Sequence, residues 1–529
     1  MSLDVLIEGA RIIDGTGSPW FEGCIGIEEE RISHVKRGTS HDLTASCEVE
    51  AEGKVVCPGF IDLHSHADLE PFTDPTITPK ITQGVTTEIV GQDGFSMAPT
   101  CSDANLDSWW RFLGGFYPNI SDRRTWPSIA DYLDAIDKNG AGANIATLVG
   151  HGTIRANVMG MDNRKPSDDE LQKMQEMVSN AIENGAVGFS TGLDYTPQCY
   201  AATEEIQQLA GQLASSGLPF VAHIRSYRDK MWNALDEFVD IGESEGIPVH
   251  LSHFKLGGAK RGLSERALHI VRSARERDID FTADVYPFVP GSGNLFTLLP
   301  RRYHSMTGAE LRASLKDEET RTELIQSLSE GVGPWNLNWK NVLLCHVDSE
   351  DSEDVLGKTI LEAASERNQH PALLVCDILL KNEFKVGIVN LSEQKETTEQ
   401  DIRSVLSDDL VGIGSDGMFG KKPHPRTYGT YPRILGHYVR DTNLLSIEEA
   451  VRKMTSLPSR IFHLQNKGIV RPGFDADLVM FNPETISSSA TVDQPTRTAN
   501  GIDSVLVNGV FVVRDSAVTN RTPGRALRS

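Results

Sequence analysis

Two hydrophobic textures divide this chain. Over residues 4–56, short apolar runs at 4–9, 11–15, 23–27 and 31–35 are broken by Gly-bearing turns, and the same texture returns at 476–481 and 504–513. Both ends predict strands. Neither end has enough strands for a stable sandwich alone, so the two are expected to pair into one small β-sandwich domain. Between them, short apolar strands alternate with helical patterns. Ser167-Asp168-Asp169-Glu170 is a capping box, after which Leu171, Met174, Val178, Ala181 and Ile182 fall on one helical face. Gly185 is placed to end that helix, and a strand follows at 186–190. This strand–helix–strand unit recurs and predicts a parallel sheet.

Eight candidate strands end near His64, Asp93, Gly150, Ser190, His223, His253, Tyr286 and Asp416. Eight such units imply a closed (β/α)8 TIM-type barrel with its active site at the C-terminal ends of the strands. The expected organisation is β domain over 1–57, barrel over 58–466 and β domain again over 467–529. Roughly 400 residues exceed the ~250 typical of this barrel, so an insertion is expected, at about 290–341, acting as a lid.

Composition narrows the function classes. The chain has 529 residues, 39% hydrophobic and 24% charged, as in ordinary globular proteins. Lys+Arg 51 against Asp+Glu 74 gives a net charge of −23, which disfavours nucleic-acid and anionic-membrane partners. No stretch reaches the roughly 18 apolar residues of a spanning helix. The N-terminus has no basic region followed by an apolar core, so no secretory signal is read and cytoplasmic residence is expected. Seven scattered cysteines without a Cys-x-x-Cys pair argue for reduced thiols and against a disulfide framework or zinc ribbon.

The candidate chemistry sits at the strand ends. Gly59-Phe60-Ile61-Asp62-Leu63-His64-Ser65-His66 ends in two histidines spaced i, i+2, which share one face of an extended strand. The runs that end at His223 and His253 each add an imidazole, and the run that ends at Asp416, flanked by glycines, adds a carboxylate. On one barrel these five residues converge from four strand ends, a donor set suited to a zinc-class ion. Such an ion lowers the pKa of its bound water to about 7 and polarises a carbonyl. Asp416 is suited to take a proton from that water.

The chain resembles the amidohydrolase superfamily and, within it, the N-acyl-D-amino-acid deacylase (D-aminoacylase) family. Gly-Phe-Ile-Asp-x-His-x-His, the fifth- and sixth-strand histidines and the eighth-strand Asp carry the broader likeness. Gln83-Gly84-Val85-Thr86-Thr87, Gly94-Phe95-Ser96-Met97-Ala98-Pro99, Gly188-Phe189-Ser190-Thr191-Gly192-Leu193-Asp194-Tyr195, Ser252-His253-Phe254-Lys255, Ala283-Asp284-Val285-Tyr286-Pro287 and His424-Pro425-Arg426-Thr427-Tyr428-Gly429-Thr430 carry the closer one, which spans residue 4 to about 515.

The resemblance implies a metal-dependent hydrolase acting on a small carboxylate-bearing amide, with Zn2+ as one or two ions and Mn2+ or Co2+ as substitutes. It also points to Lys255, Tyr286 and Arg426 for the substrate carboxylate, with Arg225, His151 and Tyr195 around them. Arg301 and Arg302 are candidates to reach an acidic substrate side chain. The fourth strand has no lysine to be carbamylated, which counts against the hydantoinase and dihydroorotase branch. D-aminoacylases place a cysteine in the second-strand turn as Gly-Asn-Cys-Gly, but this chain reads Gly91-Gln92-Asp93-Gly94. A hard carboxylate there would bridge metals and bind zinc less tightly than a thiolate. Hydrolysis of a cyclic amide or dipeptide, and a non-catalytic scaffold, are the alternatives.

Overall fold

A computed structural model describes residues 3–38, 43–100, 105–118, 120, 125–328, 338–391 and 395–529. Eight strands form the barrel: β1 (Phe60–Asp62), β2 (Val85–Val90), β3 (Asn144–Thr147, resumed at Val149–Gly150), β4 (Phe189–Gly192), β5 (Phe220–His223), β6 (Val249–Leu251), β7 (Phe281–Val285) and β8 (Val411–Ile413). Each neighbouring pair from β1 to β8 is parallel. The ring closes just beyond the ends of β8 and β1. There Asp416 N–H donates to the His64 carbonyl at 2.7 Å, and His66 N–H donates to that of Gly417 at 3.3 Å.

The strands are short and buried along their length, and the helices between them cover the barrel. The helix Asp168–Glu183 shows how the sequence builds that cover. Ser167 accepts from Glu170 N–H while the Glu170 carboxylate accepts from Ser167 N–H, and Met174, Val178 and Ala181 are buried beneath. Gly185, with φ +100°, follows its end.

The β domain expected of the two termini is built from one hydrogen-bonded sheet of nine strands. Its junction is Val55–Pro58, which pairs in parallel with Leu3–Ile12 on one side and antiparallel with Leu478–Phe481 on the other. The alternating apolar residues Val5, Ile7, Ile25, Ile27, Val56, Leu478 and Met480 form its own core.

The excursion between β7 and β8 runs beyond the expected 290–341. It holds an antiparallel sheet of Gly291–Asn294, Val386–Asn390 and Val342–Val347, with Val386–Asn390 in the middle. A middle strand must pair on both sides, so the inserted unit continues to Asn390; residues 329–337 of the expected segment lie outside the described residues. The six described cysteines are free. Among the described residues no helix is long and apolar enough to cross a membrane.

Candidate metal centre

The strand ends deliver their polar side chains to one point. β1 stops at Asp62, yet His64 and His66 both turn inward, and their Nε2 atoms lie 3.8 and 3.3 Å from Asp416 Oδ1. Asp93 arrives on a left-handed turn, with Gly91 at φ +75°, Asp93 at φ +56° and Gly94 at φ +77°. A Cβ on Gly91 would meet the Leu148 carbonyl oxygen at 2.4 Å, so that position takes only glycine. Asp93 Oδ1 is 3.8 Å from His64 Nε2, 3.6 Å from His253 Nε2 and 3.9 Å from His223 Nδ1, while Oδ2 is 3.7 Å from His66 Nε2.

Two groups of donor atoms result: His64, His66, Asp93 and Asp416, and Asp93, His223 and His253. Within each, the donor atoms lie within 4.8 Å of one another, and Asp93 belongs to both. His253 (φ +33°) and Asp416 (φ +50°), like Asp93, hold left-handed backbone that costs these residue types about 1–3 kcal/mol each. Such strain persists where the surroundings demand it.

The donor set fits a metal ion on the structure's own terms. His64 Nε2, His66 Nε2, Asp93 Oδ1 and Asp416 Oδ1 are buried, face one another and have no hydrogen-bond partner. Buried lone pairs left this way are costly, and a shared cation removes the cost. The local field attracts a cation, and a metal would supply it in place of a proton on His64. Burial works against charge on His64, but the Asp284 and Asp93 carboxylates outweigh it and raise its pKa well above the ordinary histidine value. Burial, with His253 beside it at 2.9 Å, pushes His223 down to about 3, which leaves a neutral imidazole. Burial would raise Asp416, but Arg426 and the histidines hold its carboxyl well below the usual range.

A cavity of about 590 Å³ opens onto this centre, bounded by His223, His253, Asp416, Tyr195, Lys255 and Tyr286. That volume suits a small ligand. Gly291, Ser292 and Asn390 of the inserted sheet form part of its wall, and Arg228, Lys230 and Arg261 make the rim basic. Arg426 is buried, with Nη1 2.8 Å from Asp416 Oδ2 and with Nε and Nη2 unpartnered. Tyr286 lies under two cations, 4.4 Å from the Arg426 guanidinium and 4.2 Å from Lys255 Nζ. Lys255 itself donates to the carbonyls of Phe288, Val289 and Pro290, at 2.7, 3.0 and 3.2 Å. Burial and the nearby Arg426 lower its pKa well below the usual lysine value.

Of the other sequence candidates, Tyr195 and Arg225 border the cavity, and His151, Arg301 and Arg302 do not. His151 is engaged by Thr191 and Glu205, and Arg225 by Glu237 and two carbonyls, although Arg225 still borders the cavity. Tyr195 packs 4.7 Å from the His223 ring. Arg301 is exposed and paired with Asp194, and Arg302 is paired with Glu323.

Sequence reasoning missed Asp284, whose Oδ1 accepts from His253 N–H at 2.9 Å and whose Oδ2 lies 3.4 Å from His64 Nδ1 and 3.1 Å from His250 Nε2. Its signal was a carboxylate interrupting the apolar run Ala283-Asp284-Val285. Asp68 and Tyr117, behind His66, were missed too and had no local signal.

Known proteins match this chain and its fold. The amidohydrolase family profile matches residues 48–308 and 379–513. A D-aminoacylase of Alcaligenes xylosoxydans xylosoxydans is 34% identical over 528 residues, covering 99% of this chain and 97% of that one. The crystal structure of an N-acyl-D-glutamate deacylase from Bordetella bronchiseptica, complexed with zinc and a phosphonate mimic of the tetrahedral intermediate, superimposes with a TM-score of 0.84 at 30% identity, covering all of both chains. A D-aminoacylase structure described for its binuclear centre, activated by one metal and attenuated by a second, superimposes with a TM-score of 0.82 at 32% identity, again over all of both chains.

Proposed function

The chain belongs to the amidohydrolase family, and from that membership we propose that it hydrolyses N-acyl-D-amino acids to a D-amino acid and a carboxylate at a divalent-metal centre. The observation that carries this reading is the set of facing, unpartnered donor atoms of His64, His66, Asp93 and Asp416 beside a cavity lined by Asp416, which the buried Arg426 pairs from behind. His64, His66, Asp93 and Asp416 would hold one ion, and Asp93, His223 and His253 a second, with Asp93 shared. Zinc is the metal proposed, with Mn2+ or Co2+ as substitutes favoured by the hard Asp93 oxygens.

When bound, the metal polarises the amide carbonyl and acidifies the attacking water. The chain's own groups do the rest. Asp416 keeps its carboxylate ionised beside Arg426, so it takes the water's proton and returns it to the amine that leaves. Arg426, whose Nε and Nη2 have no partner, would offer the substrate's α-carboxylate the planar fork such a group requires. Tyr286 stacks under that fork, and Lys255 ties the 288–290 loop to the cavity wall. We further propose that the inserted sheet of Gly291–Asn294, Val342–Val347 and Val386–Asn390 serves as the lid of the cavity, its Gly291, Ser292 and Asn390 at the wall.

The test is hydrolysis of a panel of N-acetyl-D- and N-acetyl-L-amino acids, including D-Glu and D-Asp, with metal analysis of the same sample. Turnover confined to D-substrates, lost on chelation and restored by zinc, is expected. Preference for L-substrates, or indifference to chelation, would overturn the reading. Asp93→Ala should lose metal and activity together, whereas Asp93→Cys should bind zinc more tightly than the parent.

A further inference from the structure

Behind the donor set a line of hydrogen bonds runs away from the cavity. His66 Nδ1 is 3.0 Å from Tyr117 Oη, Tyr117 donates to Asp68 Oδ2 at 3.1 Å, and Asp68 Oδ1 accepts Gly91 N–H at 2.8 Å. All three side chains are buried. Gly91 opens the left-handed turn that presents Asp93 two residues later. One carboxylate thus reaches two members of the donor set, the His66 ring through a tyrosine and the Asp93 turn directly.

The direction of the protons gives this line its meaning. A phenol has one proton, and the acceptors in reach of Tyr117 are Asp68 Oδ2 at 3.1 Å and the Phe95 carbonyl at 3.4 Å, so it points away from His66. Its oxygen then offers only lone pairs to His66 Nδ1, so the ring proton must sit on Nδ1. Nε2 is left as the bare lone pair, on the side that faces Asp93 Oδ2 and Asp416 Oδ1. His64 reaches the same end by a shorter route, with the Asp284 carboxylate 3.4 Å from its Nδ1.

We propose that Asp68 and Tyr117 are positioning residues of the metal centre: together they set the His66 tautomer and ring orientation, and Asp68 also holds the Asp93 turn in register with it. The proposal rests on the metal reading above and goes beyond it, since neither residue touches the ion or the substrate.

The experiment measures zinc dissociation constants by chelator competition on metal-free full-length protein, with thermal unfolding of the same samples as the folding check. Tyr117→Phe should weaken zinc about 10–100-fold, the usual cost of losing a partner behind a ligand. Asp68→Asn should weaken it further, because an amide N–H facing Tyr117 turns the phenol proton back toward His66 and puts the ring proton on Nε2. In the Tyr117→Phe background no phenol remains to be turned, so Asp68→Asn should then cost clearly less than it does alone.

Tyr132→Phe is the control. It removes a bond to the Asp68 backbone carbonyl without entering the line, and should bind zinc as the parent does. If Asp68→Asn fails to fold, Tyr117→Phe against Tyr132→Phe decides alone. Zinc binding by Tyr117→Phe within about threefold of the parent, or strictly additive effects of the two changes, would overturn the proposal. A parent that binds no zinc would overturn the metal reading and the positioning role with it.

Discussion

Two clusters of buried charge lie a few residues apart on β1 and β8, and they are built in opposite ways. In the deeper one, Lys80 Nζ donates to Asp62 Oδ2 at 2.5 Å, Ser415 Oγ at 2.8 Å, Glu88 Oε2 at 3.2 Å and Ser65 Oγ at 3.2 Å. Asp62 also accepts from the backbone N–H of His64 and Ser415. This cluster carries its own cation, and of its carboxylate oxygens only Glu88 Oε1 lacks a partner. In the cluster above it, formed by His64, His66, Asp93 and Asp416, one donor atom of each residue faces the others without a hydrogen-bond partner. A buried polar cluster that satisfies itself serves the fold, and one that leaves converging donor atoms unsatisfied is shaped for something to be bound.

That contrast can be broken experimentally, and the upper cluster should give the largest effects. His253→Ala should abolish activity and zinc binding at the Asp93–His223–His253 group. The metal-free protein should lose little stability, because the one side-chain hydrogen bond broken is that to His223 at the cavity wall; a full zinc complement by metal analysis would refute this. Asp416→Asn should lower kcat by about 10²–10⁴-fold with KM changed much less, since the loss falls on proton transfer. Equal changes in both parameters would assign Asp416 to binding instead.

The lower cluster should answer in stability. Lys80→Met strands Asp62 and Glu88 in the interior and should cost about 3–5 kcal/mol in denaturant unfolding, with or without metal. A loss seen only in the metal-free protein would mean the two clusters are one.

The smallest effect is a pH slope. Burial, partly offset by Lys80 and reinforced by Asp62, raises Glu88 from 4.5 to about 7. The native state then binds this proton more readily than the unfolded chain does, so the stability linked to Glu88 is present below pH 4.5 and is lost as pH rises toward about 7. Glu88→Gln should flatten stability against pH across that window, and an unchanged slope would remove Glu88 as its source.

Much of the centre was readable in the chain. His64 and His66 stood out by their spacing, His223 and His253 by ending apolar runs, Asp416 by its glycine flanks, and Asp93 only through the family resemblance, where it stands in place of a cysteine. The supporting groups were not readable, because their partners are remote: Tyr117 lies 51 residues from His66, and Asp284 lies 31 from the backbone N–H it accepts. The role of Lys255 also changed emphasis, since its three donors go to the 288–290 carbonyls, which no spacing rule foretells.

The sequence by itself determined which stretches are strands, which face of each helix is buried and which donor types stand at the strand ends, because those depend on backbone periods only a few residues long. Only the tertiary structure decided which lone pairs meet and which are already satisfied. Ser415 bonds Asp62 across 353 residues because the barrel closes there, and Asp93 sits between two donor groups because its left-handed turn is held against β3 and β4. Distances of this kind follow from barrel closure and loop packing, which sum over the whole chain and leave no local mark in it.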